Sequence, residues 1–392
     1  MRTRAYVLGA SVACIGCGSD PADALQTSIS GQSGSITASD DSGGDGTATG
    51  DGATGAADDG SDGGPGDGVD DGVDASDGGG DATDAGDASE GGDTGAAGGT
   101  VDASDFPSIQ AAIDSLEGIG GAVYIPAGEH LIPEKLRVYS NITVFGAGMD
   151  QTIIRFEPGV EVDHMLGNDS SGGHENMVIR DLTLQGNGAG GDVSCCHGLE
   201  LENVVDSFVI SVSSRDHGRD GFYFGHKTVD DVLMGVYGTR LSGCHASGNG
   251  RNGLSIVQGE NNVVDGCTFE NNNTTEDVAA IDLEPDPYPD GLVRSNRILQ
   301  NTVQNNANNG IQMWAAGDAI VANNAICYNT ITGNDGTGIA DHQSDDDVFV
   351  GNELSDNGAD ADYDGSAKVG DEYEADCGLP LPALPATPPL PP

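Results

Sequence analysis

The sequence predicts an all-β fold: a single-stranded right-handed parallel β-helix (a solenoid) with a short N-terminal capping helix, preceded by a disordered acidic linker. Three observations predict it. A four-residue apolar motif recurs along the second half of the chain, each recurring unit is too small to bury its own apolar side chains, and Asn- and Gly-rich turns separate the units. Such units become stable only by stacking on one another.

The recurring motif is a small residue, a large apolar residue, any residue and a second large apolar residue. It starts at Gly198, Gly221, Gly253, Ala280 and Gly310, with a weaker copy at Gly338. Successive starts lie 23, 32, 27, 30 and 28 residues apart. Strands one unit apart would pair in parallel about 4.8 Å from each other, and Asn residues suit left-handed corners and ladders along the stack. The blade length of a propeller and the Leu frame of a leucine-rich horseshoe are both missing.

A segment of helical periodicity precedes this array. Apolar residues recur at Ile109, Ala112, Ile113 and Leu116, which predicts a short amphipathic helix within 104–116. Such a helix closes the apolar end of a stacked fold. Two glycines then end the helix, and the next apolar residues are predicted to form the first strand.

Composition divides the chain into four parts. Residues 1–17 have the charged start and short apolar run of a secretory signal, too short to span a bilayer. Residues 18–100 hold 19 acidic residues, no Lys or Arg and few large apolar side chains, which predicts a disordered linker. The β-helix domain is expected over 101–376, and a Pro-rich disordered tail over 377–392.

The cysteines fit an exported protein. Cys17 resembles the lipidated residue of a bacterial lipoprotein signal, with Cys14 as the competing position, so we expect a lipid-anchored protein of the outer membrane or cell surface. Cysteines of exported proteins commonly form disulfides. Cys244 and Cys267 occur in matching sequence contexts one repeat apart, and we expect a disulfide between them.

The charge of the chain restricts its partners. The formal net charge is −50 at pH 7, and the part outside the linker is acidic as well, which argues against nucleic acid as a partner. A polyanionic substrate needs basic residues gathered locally, and the domain is expected to be a monomer. The residues predicted to gather on one face are Arg215, Arg219, Lys227, Arg240, Arg251, His217, His226 and His245.

Several segments resemble the pectin-lyase-like superfamily of right-handed β-helices. They are GGAVYIPAGEHLI at 120–132, GAGMDQTIIRF at 146–156 and MVIRDLTLQGN at 177–187. Together with the predicted helix, their nearest likeness is to the catalytic modules of secreted mannuronan C5-epimerases, over residues 104–272. The resemblance implies an extracellular polysaccharide as the partner.

The same resemblance locates a candidate site. These epimerases place Tyr, Asp and His on one turn and a second Asp on the next coil. Laid on this sequence through DGFYFGHKT, those positions hold Asp220, Tyr223, Gly225 (next to His226) and Asn252. Residue types are partly kept while positions are exchanged, so epimerase activity does not carry over directly.

Three outward columns are predicted on one face, because alternate residues of a strand face outward. The columns are Glu200, Tyr223, Ser255, Asp282 and Gln312; then Glu202, Gly225, Val257, Glu284, Trp314 and His342; then His197, Asp220, Asn252 and Asn309. Most of the chemically competent side chains of the domain fall on this face.

Epimerisation or β-elimination at a uronic acid needs a neutralised carboxylate, a base for the C5 proton and an acid on the other side. The candidates are Arg219, Lys227 and Arg251 for neutralisation, His226 and Tyr223 for proton transfer, and Asp220 for orienting them. Asn252, Gln312 and Trp314 are the other predicted substrate contacts, with Trp314 as a platform for a sugar ring.

Other interpretations stay open. Asp282 and Glu284 lie about 6.5 to 7 Å apart on one face of a strand, which is close to the carboxyl separation of inverting glycoside hydrolases, about 6.5 to 9.5 Å. With Asp277, Asp286 and Asp290 they also offer the oxygen ligands of a Ca²⁺ site, without the spacing of a regular calcium motif, and no other metal site is predicted. A non-catalytic glycan-binding or structural surface lipoprotein is the remaining alternative.

Overall fold

The computed structural model of the protein describes residues 98–160, 162–168, 171–187, 196–272 and 278–392. The predicted signal sequence with Cys17 and Cys14, and nearly all of the predicted linker, lie outside the described residues. Within the described ranges no helix has both the length and the apolar character needed to cross a membrane.

Strands wind into a parallel β-helix, as predicted. The described residues form three parallel sheets and one antiparallel hairpin at Lys227–Val229 and Val232–Met234. The nine-stranded sheet consists of Leu136–Val138, His164–Asn168, His197–Leu201, Phe222–Phe224, Leu254–Ile256, Ala279–Leu283, Asn309–Trp314, Thr337–His342 and Ala359–Asp362. The six-stranded sheet consists of His174–Glu175, Val204–Val205, Val236–Tyr237, Gly259–Glu260, Leu292–Arg294 and Ile320–Ala322.

The eighteen-stranded sheet carries the remaining strands of the described chain and bends around the coil. Its strands are Thr100–Asp102, Gly121–Ile125, Gly128–Ile132, Ile142–Gly146, Thr152–Phe156, Val178–Gln185, Phe208–Arg215, Arg240–Ser242, His245–Ser247, Val263–Asp265, Thr268–Glu270, Arg297–Leu299, Thr302–Gln304, Ala325–Cys327, Thr330–Thr332, Val348–Val350, Glu353–Ser355 and Lys368–Val369.

The inward residues of the apolar motif form the core. Register pairs the first large residue of each motif with that of the next coil, and every member is fully buried. This row is Leu199, Phe222, Leu254, Ile281, Ile311 and Ile339. Because each side chain packs on the equivalent residue above and below, no single coil is stable alone.

A short helix covers the open end of the coil. The α-helix Ile109–Asp114 follows a 3-10 turn at Ala103–Asp105, so it is shorter than the predicted 104–116. The side-chain amide of Gln110 forms two hydrogen bonds with the backbone of Arg137. Its Oε1 accepts from Arg137 N at 2.7 Å, and its Nε2 donates to Arg137 O at 3.1 Å. The helix thereby hydrogen-bonds backbone groups at the edge of the nine-stranded sheet, and it also covers the core.

Asparagine ladders hold the corners together. In each ladder the Oδ1 of one Asn accepts hydrogen bonds from the backbone N and the Nδ2 of the Asn one coil earlier. The main ladders are Asn249, Asn272, Asn306, Asn334 and Asn357; Asn262, Asn296 and Asn324, ending in Asp347; and Asn301, Asn329 and Asn352. The residue before each of these positions has a positive φ, which explains the recurring Gly-Asn and Asn-Asn pairs.

The predicted disulfide between Cys244 and Cys267 is wrong. Both are free, buried thiols that extend a ladder, because the backbone N of Cys244 donates to Cys267 Sγ at 3.3 Å and Cys267 N donates to Asn301 Oδ1 at 2.9 Å. Their matching sequence contexts reflect this shared corner position. The disulfide of the described chain joins Cys327 to Cys377.

The C-terminal segment also departs from the prediction, since it is extended but packs on the coil instead of forming a disordered tail. Three arginines of the eighteen-stranded sheet donate to its carbonyls. The pairs are Arg297 with Gly378, Arg240 with Pro382 and Arg180 with Pro385. Composition alone misses this contact because the bonds use backbone oxygen, which every sequence has.

The ladder ending in Asp347 predicts a pH-dependent stability. Burial raises the pKa of Asp347 to about 7, with the charge of Asp341 adding to the shift. Its Oδ1 accepts from Asn324, while its Oδ2 is buried with no hydrogen-bond partner among the described residues. Because the folded state favours the protonated form, stability from this group is present below about pH 4 and lost as pH rises to about 7.

We therefore expect Asp347→Asn to stabilise the fold at pH 8 by up to a few kcal/mol and to leave it nearly unchanged at pH 4. Denaturant unfolding at the two pH values measures the difference. Asp335→Asn is the matched control, because it removes an exposed carboxylate next to another asparagine ladder. An equal effect of both substitutions, or a stabilisation at pH 4, would contradict the assignment.

Candidate functional site

The outer face of the nine-stranded sheet carries the first predicted column in the predicted register. Glu200 pairs with Tyr223, Tyr223 with Ser255, Ser255 with Asp282, and Asp282 with Gln312. The second column is also aligned at its end, where Trp314 pairs with His342. Residues more than a hundred positions apart thus share one surface.

The third predicted column lies beside the first. His197 and Asn309 begin their strands, whereas Asp220 and Asn252 lie just before theirs. Three of these four residues reach the residue three positions later. Asn252 Nδ2 donates to Ser255 Oγ at 2.8 Å, Asn309 Nδ2 donates to Gln312 Oε1 at 2.8 Å, and His197 Nε2 lies 3.9 Å from Glu200 Oε2. The two columns therefore form one polar strip.

Asp220 is the centre of this strip and is completely buried. It accepts from Arg251 Nε at 2.8 Å and Nη2 at 2.5 Å, from Asn252 N at 2.9 Å and from Ser255 Oγ at 3.1 Å. Its Oδ2 also lies 3.2 Å from His197 Nδ1. Burial alone would raise the pKa of Asp220, but the guanidinium of Arg251 and the hydrogen bonds hold it well below its usual range.

This network involves three predicted site residues. Asp220 is 0% exposed, Asn252 1% and Arg251 8%, and their side chains bind chiefly one another and the neighbouring residues of the strip. The orienting role predicted for Asp220 stays a prediction that agrees with this placement. Asp220 and Arg251 neutralise each other. These residues position their neighbours, because their side chains, which start at a corner of the coil, turn into the strip instead of toward solvent.

Tyr223 lies over this network. Its ring stacks on His197 with centroids 4.3 Å apart, and the guanidinium carbon of Arg251 lies 5.9 Å from its centroid. A side chain at position 225 would collide with the ring, so Gly225 is required for this arrangement. Burial raises the pKa of Tyr223 well above its usual range, which keeps the hydroxyl protonated as a donor.

His226 forms a dyad with a carboxylate from a distant coil. Its Nε2 lies 2.7 Å from Asp286 Oδ2, and the edge of Tyr288 meets its ring at a centroid distance of 5.6 Å. When Nε2 carries the proton that it donates to Asp286, the Nδ1 lone pair is available to accept a proton. That Nδ1 is buried and has no hydrogen-bond partner within the described ranges.

Asp282 is the second residue of the site that has a buried polar atom without a hydrogen bond among the described residues. Its Oδ2 accepts from Asn252 Nδ2 at 3.3 Å, while its Oδ1 is buried without a hydrogen-bond partner in the described part of the chain. Burial and then the charge of Glu284 raise the pKa of Asp282 well above its usual range. Burial raises the pKa of Glu284 as well. Burial and the neighbouring charge of Glu284 therefore favour the protonated form of Asp282.

Glu200 and two imidazoles occupy the strip on the other side of Tyr223. His164 Nδ1 lies 3.4 Å from Glu200 Oε2, and His197 approaches the same oxygen. Burial would raise the pKa of Glu200, but the adjacent His164 and His197, with Lys135 further away, lower it to about 2. Glu200 is thus ionised, in contrast to Asp282.

The remaining predicted contacts lie at the ends of the face. Trp314 is 37% exposed and meets His342 edge-on with ring centroids 5.7 Å apart, as a sugar platform requires. Lys227 begins the antiparallel hairpin beside the strip, and Arg219 is partly exposed just before Asp220. Of the acids considered for Ca²⁺, Asp277 lies outside the described residues.

Half of the predicted basic cluster lies elsewhere. Arg215, Arg240 and His245 are on the eighteen-stranded sheet, where they meet carboxylates. His217 is inside the coil with its Nε2 3.1 Å from Leu184 O, and burial lowers the pKa of His217 to about 4. Closeness in sequence did not predict closeness in space here, because one coil of 23 to 32 residues passes through all the faces.

His164 and Tyr288 were not predicted from the sequence, and Asp286 was considered only as a Ca²⁺ ligand. His164 heads a strand that pairs with the first recognised motif, but Met165 replaces the small first residue, so the coil was not recognised. Asp286 follows the motif by a few residues, in a Pro-rich loop without periodicity. Its pairing with His226 spans 60 residues and leaves no local signal.

The stacked coils and their outward polar strip define the chain as a right-handed parallel β-helix protein. The family model described as "Right handed beta helix region" matches residues 166–357. The chain is 26% identical over 231 residues to the pre-neck appendage protein of Bacillus phage B103. This match covers 55% of this chain and 26% of that protein. It is 29% identical over 202 residues to mannuronan C5-epimerase AlgE5 of Azotobacter vinelandii, covering 41% of this chain and 19% of the epimerase.

A solved structure supports the fold in the same way. The Agl-KA catalytic domain superimposes with a TM-score of 0.50 at 16% identity, covering 69% of this chain and 51% of that one. The predicted resemblance to right-handed β-helices with likeness to mannuronan epimerases is confirmed. The chain spans about a quarter or less of the length of these two curated relatives.

Proposed function

We propose that the protein acts on an extended extracellular polysaccharide that binds along the outer face of the nine-stranded sheet. The reaction we infer is removal of the C5 proton of a uronic acid residue, which leads to epimerisation or to β-elimination. The observation that carries this proposal is the pair of unused polar atoms, Nδ1 of the His226–Asp286 dyad and Oδ1 of Asp282.

Each chemical task has a candidate group. The neutral carboxyl of Asp282 donates a hydrogen bond to the uronate carboxylate, which acidifies C5, and Lys227 and Arg219 supply positive charge at the rim. His226 Nδ1 accepts the C5 proton while Asp286 stabilises the resulting imidazolium. The Tyr223 hydroxyl delivers a proton to the opposite face of C5, or to the C4 oxygen as the C4–O bond breaks.

The length of the face suits a polymer better than a small molecule. Successive strands are about 4.8 Å apart, so Glu200 and Gln312, four pairings apart, span about 19 Å. Trp314 at one end offers an apolar ring for stacking. The Azotobacter relative is a mannuronan C5-epimerase by name, which supports the same chemical class.

The test is a panel of uronans and neutral glycans incubated with the full chain. A lyase produces an unsaturated uronate with a new ultraviolet absorbance, an epimerase changes the uronate ratio in the NMR spectrum without shortening the polymer, and a hydrolase releases new reducing ends. Binding without any turnover would favour the non-catalytic interpretation and contradict the proposed reaction.

Inverting hydrolysis is the alternative that one observation favours, because the pKa values of Asp282 and Glu284 are both raised and these acids lie on one strand end. Asp282→Asn separates the two functions. An amide keeps a neutral hydrogen-bond donor, so an epimerase or lyase should retain activity within about tenfold. A hydrolase that needs Asp282 as acid or base should lose about a hundredfold or more.

Export and anchoring complete the proposal. An extracellular polymer requires the domain to be outside the cell, which agrees with the signal-like start and with lipidation at Cys17. Labelling with a radioactive fatty acid should be lost in Cys17→Ser and kept in Cys14→Ser. The reverse result would move the anchor to Cys14.

A further inference from the structure

Three metal-ligating side chains meet at the N-terminal end of the polar strip, outside the proposed catalytic group. Asp163, His164 and Glu200 each offer one ligand atom, and these atoms lie within 4.8 Å of one another. His164 Nδ1 is 3.4 Å from Glu200 Oε2 and 3.5 Å from Asp163 Oδ1. Asp163 and His164 are adjacent in the chain, and Glu200 comes from the next coil.

His164 supplies the observation that points to a ligand. The residue is 4% exposed, and neither ring nitrogen has a hydrogen-bond partner in the described ranges. A buried imidazole whose nitrogens make no hydrogen bond is costly, because their desolvation is only partly compensated by the nearby carboxylates. A cation bound at Nδ1 compensates that nitrogen.

The spacing suits a metal ion better than a hydrogen bond. Tetrahedral ligands at about 2.0 to 2.2 Å from a zinc ion lie about 3.3 to 3.6 Å from one another. The two separations from His164 Nδ1 fall in this range. One imidazole with two carboxylates is a donor set typical of zinc and related ions, whereas Ca²⁺ prefers oxygen alone.

The surroundings are arranged for such a site. Gly167 gives room to the imidazole, because a Cβ there would lie 2.8 Å from His164 Nε2. His197 places its Nε2 3.9 Å from Glu200 Oε2 and its Nδ1 3.2 Å from Asp220, the carboxylate–histidine arrangement that supports metal ligands. Lys135 holds both oxygens of Asp163 at 3.0 Å and fixes that carboxylate at the rim.

We propose that His164, Glu200 and Asp163 bind one divalent transition-metal ion of the zinc class, with His197 as the nearest further nitrogen donor. The site ties two successive coils together near the capped end of the solenoid. It does not depend on the proposed reaction, since its ligands are not the groups assigned to proton transfer.

The experiment is a zinc titration of the full chain, stripped with a chelator and desalted, in competition with a chromophoric chelator. We expect one equivalent to bind, more than about tenfold weaker binding in Glu200→Gln and Asp163→Asn, and loss of the site in His164→Ala. Co²⁺ in place of Zn²⁺ should give the visible absorption of a tetrahedral ion in the wild-type chain and not in His164→Ala.

His245→Gln is the matched control. His245 Nε2 lies 3.0 Å from Glu270 Oε1, a histidine–carboxylate pair on another sheet that has no third ligand among the residues the structure describes. Zinc affinity should be unchanged in this variant, and circular dichroism verifies the fold of every variant. Equal zinc binding by the wild-type chain and His164→Ala, or no zinc binding by the wild-type chain, would overturn the proposal; turnover of a glycan is not the readout.

Discussion

Replacing His226 by glutamine should lower kcat on the polysaccharide by about a hundredfold to ten-thousandfold, the usual contribution of a general acid or base. Glutamine can still donate to Asp286, but it has no basic nitrogen to accept the C5 proton. KM should change little, because the proposed carboxylate contact, Asp282, is untouched. Steady-state rates on the substrate identified by the glycan panel measure both constants.

The dyad geometry predicts how Asp286 contributes. His226 Nε2 lies 2.7 Å from Asp286 Oδ2, so the carboxylate fixes the tautomer and stabilises the imidazolium. Asp286→Asn should therefore lower kcat with KM nearly constant, which identifies Asp286 as a positioning residue. An unchanged rate in His226→Gln would remove the base from the mechanism.

His342→Gln provides the matched control for this pair. His342 lies on the same sheet face, paired with Trp314 in register, but its strand is two coils from that of Asp282 and four from that of Tyr223. Its replacement should leave kcat unchanged and alter at most the binding of long chains. Equal losses of kcat in His226→Gln and His342→Gln would indicate a general effect on the face.

The sequence was sufficient to predict the coil and its register, because the information is periodic. Gly198, Gly221 and Gly253 each mark a strand start, and a one-residue error would turn apolar side chains outward. The coil containing His164 was missed where Met165 broke the pattern. Periodicity therefore located the columns of the outer face but not the coils that lack the motif.

Side-chain pairing within the site was much less predictable. The exposure of Trp314 follows from register alone, whereas the burial of Asp220 depends on Arg251 folding back across the strip. The His226–Asp286 dyad joins two irregular segments, and the Cys327–Cys377 bond joins a strand to the 3-10 helix Asp371–Cys377. No local sequence pattern encodes either approach. For Cys244 and Cys267 a local pattern was present but was misinterpreted. Their matching sequence contexts indicate equivalent positions in a ladder and not a disulfide bond.

The buried pair of Arg251 and Asp220 predicts the largest effect on stability. Arg251→Met should lower the free energy of unfolding by about 3 to 5 kcal/mol, because it leaves the carboxylate of Asp220 buried without its countercharge. Asp220→Asn/Arg251→Met should recover much of this loss, since neither charge remains. Denaturant unfolding at pH 7 measures the three chains, with Arg294→Met, which breaks the exposed pair with Glu260, as the control.

The pH dependence of the same variants gives an independent check. Arg251 holds the pKa of Asp220 below its ordinary value, so the pair stabilises the fold above about pH 4 and this contribution is lost as pH falls through the lowered pKa. In Arg251→Met burial dominates and raises the pKa of Asp220, so stability should instead fall as pH rises above about 4. A variant whose stability keeps the wild-type acid dependence would show that His197 and the hydrogen bonds from Asn252 and Ser255 suffice to hold the charge.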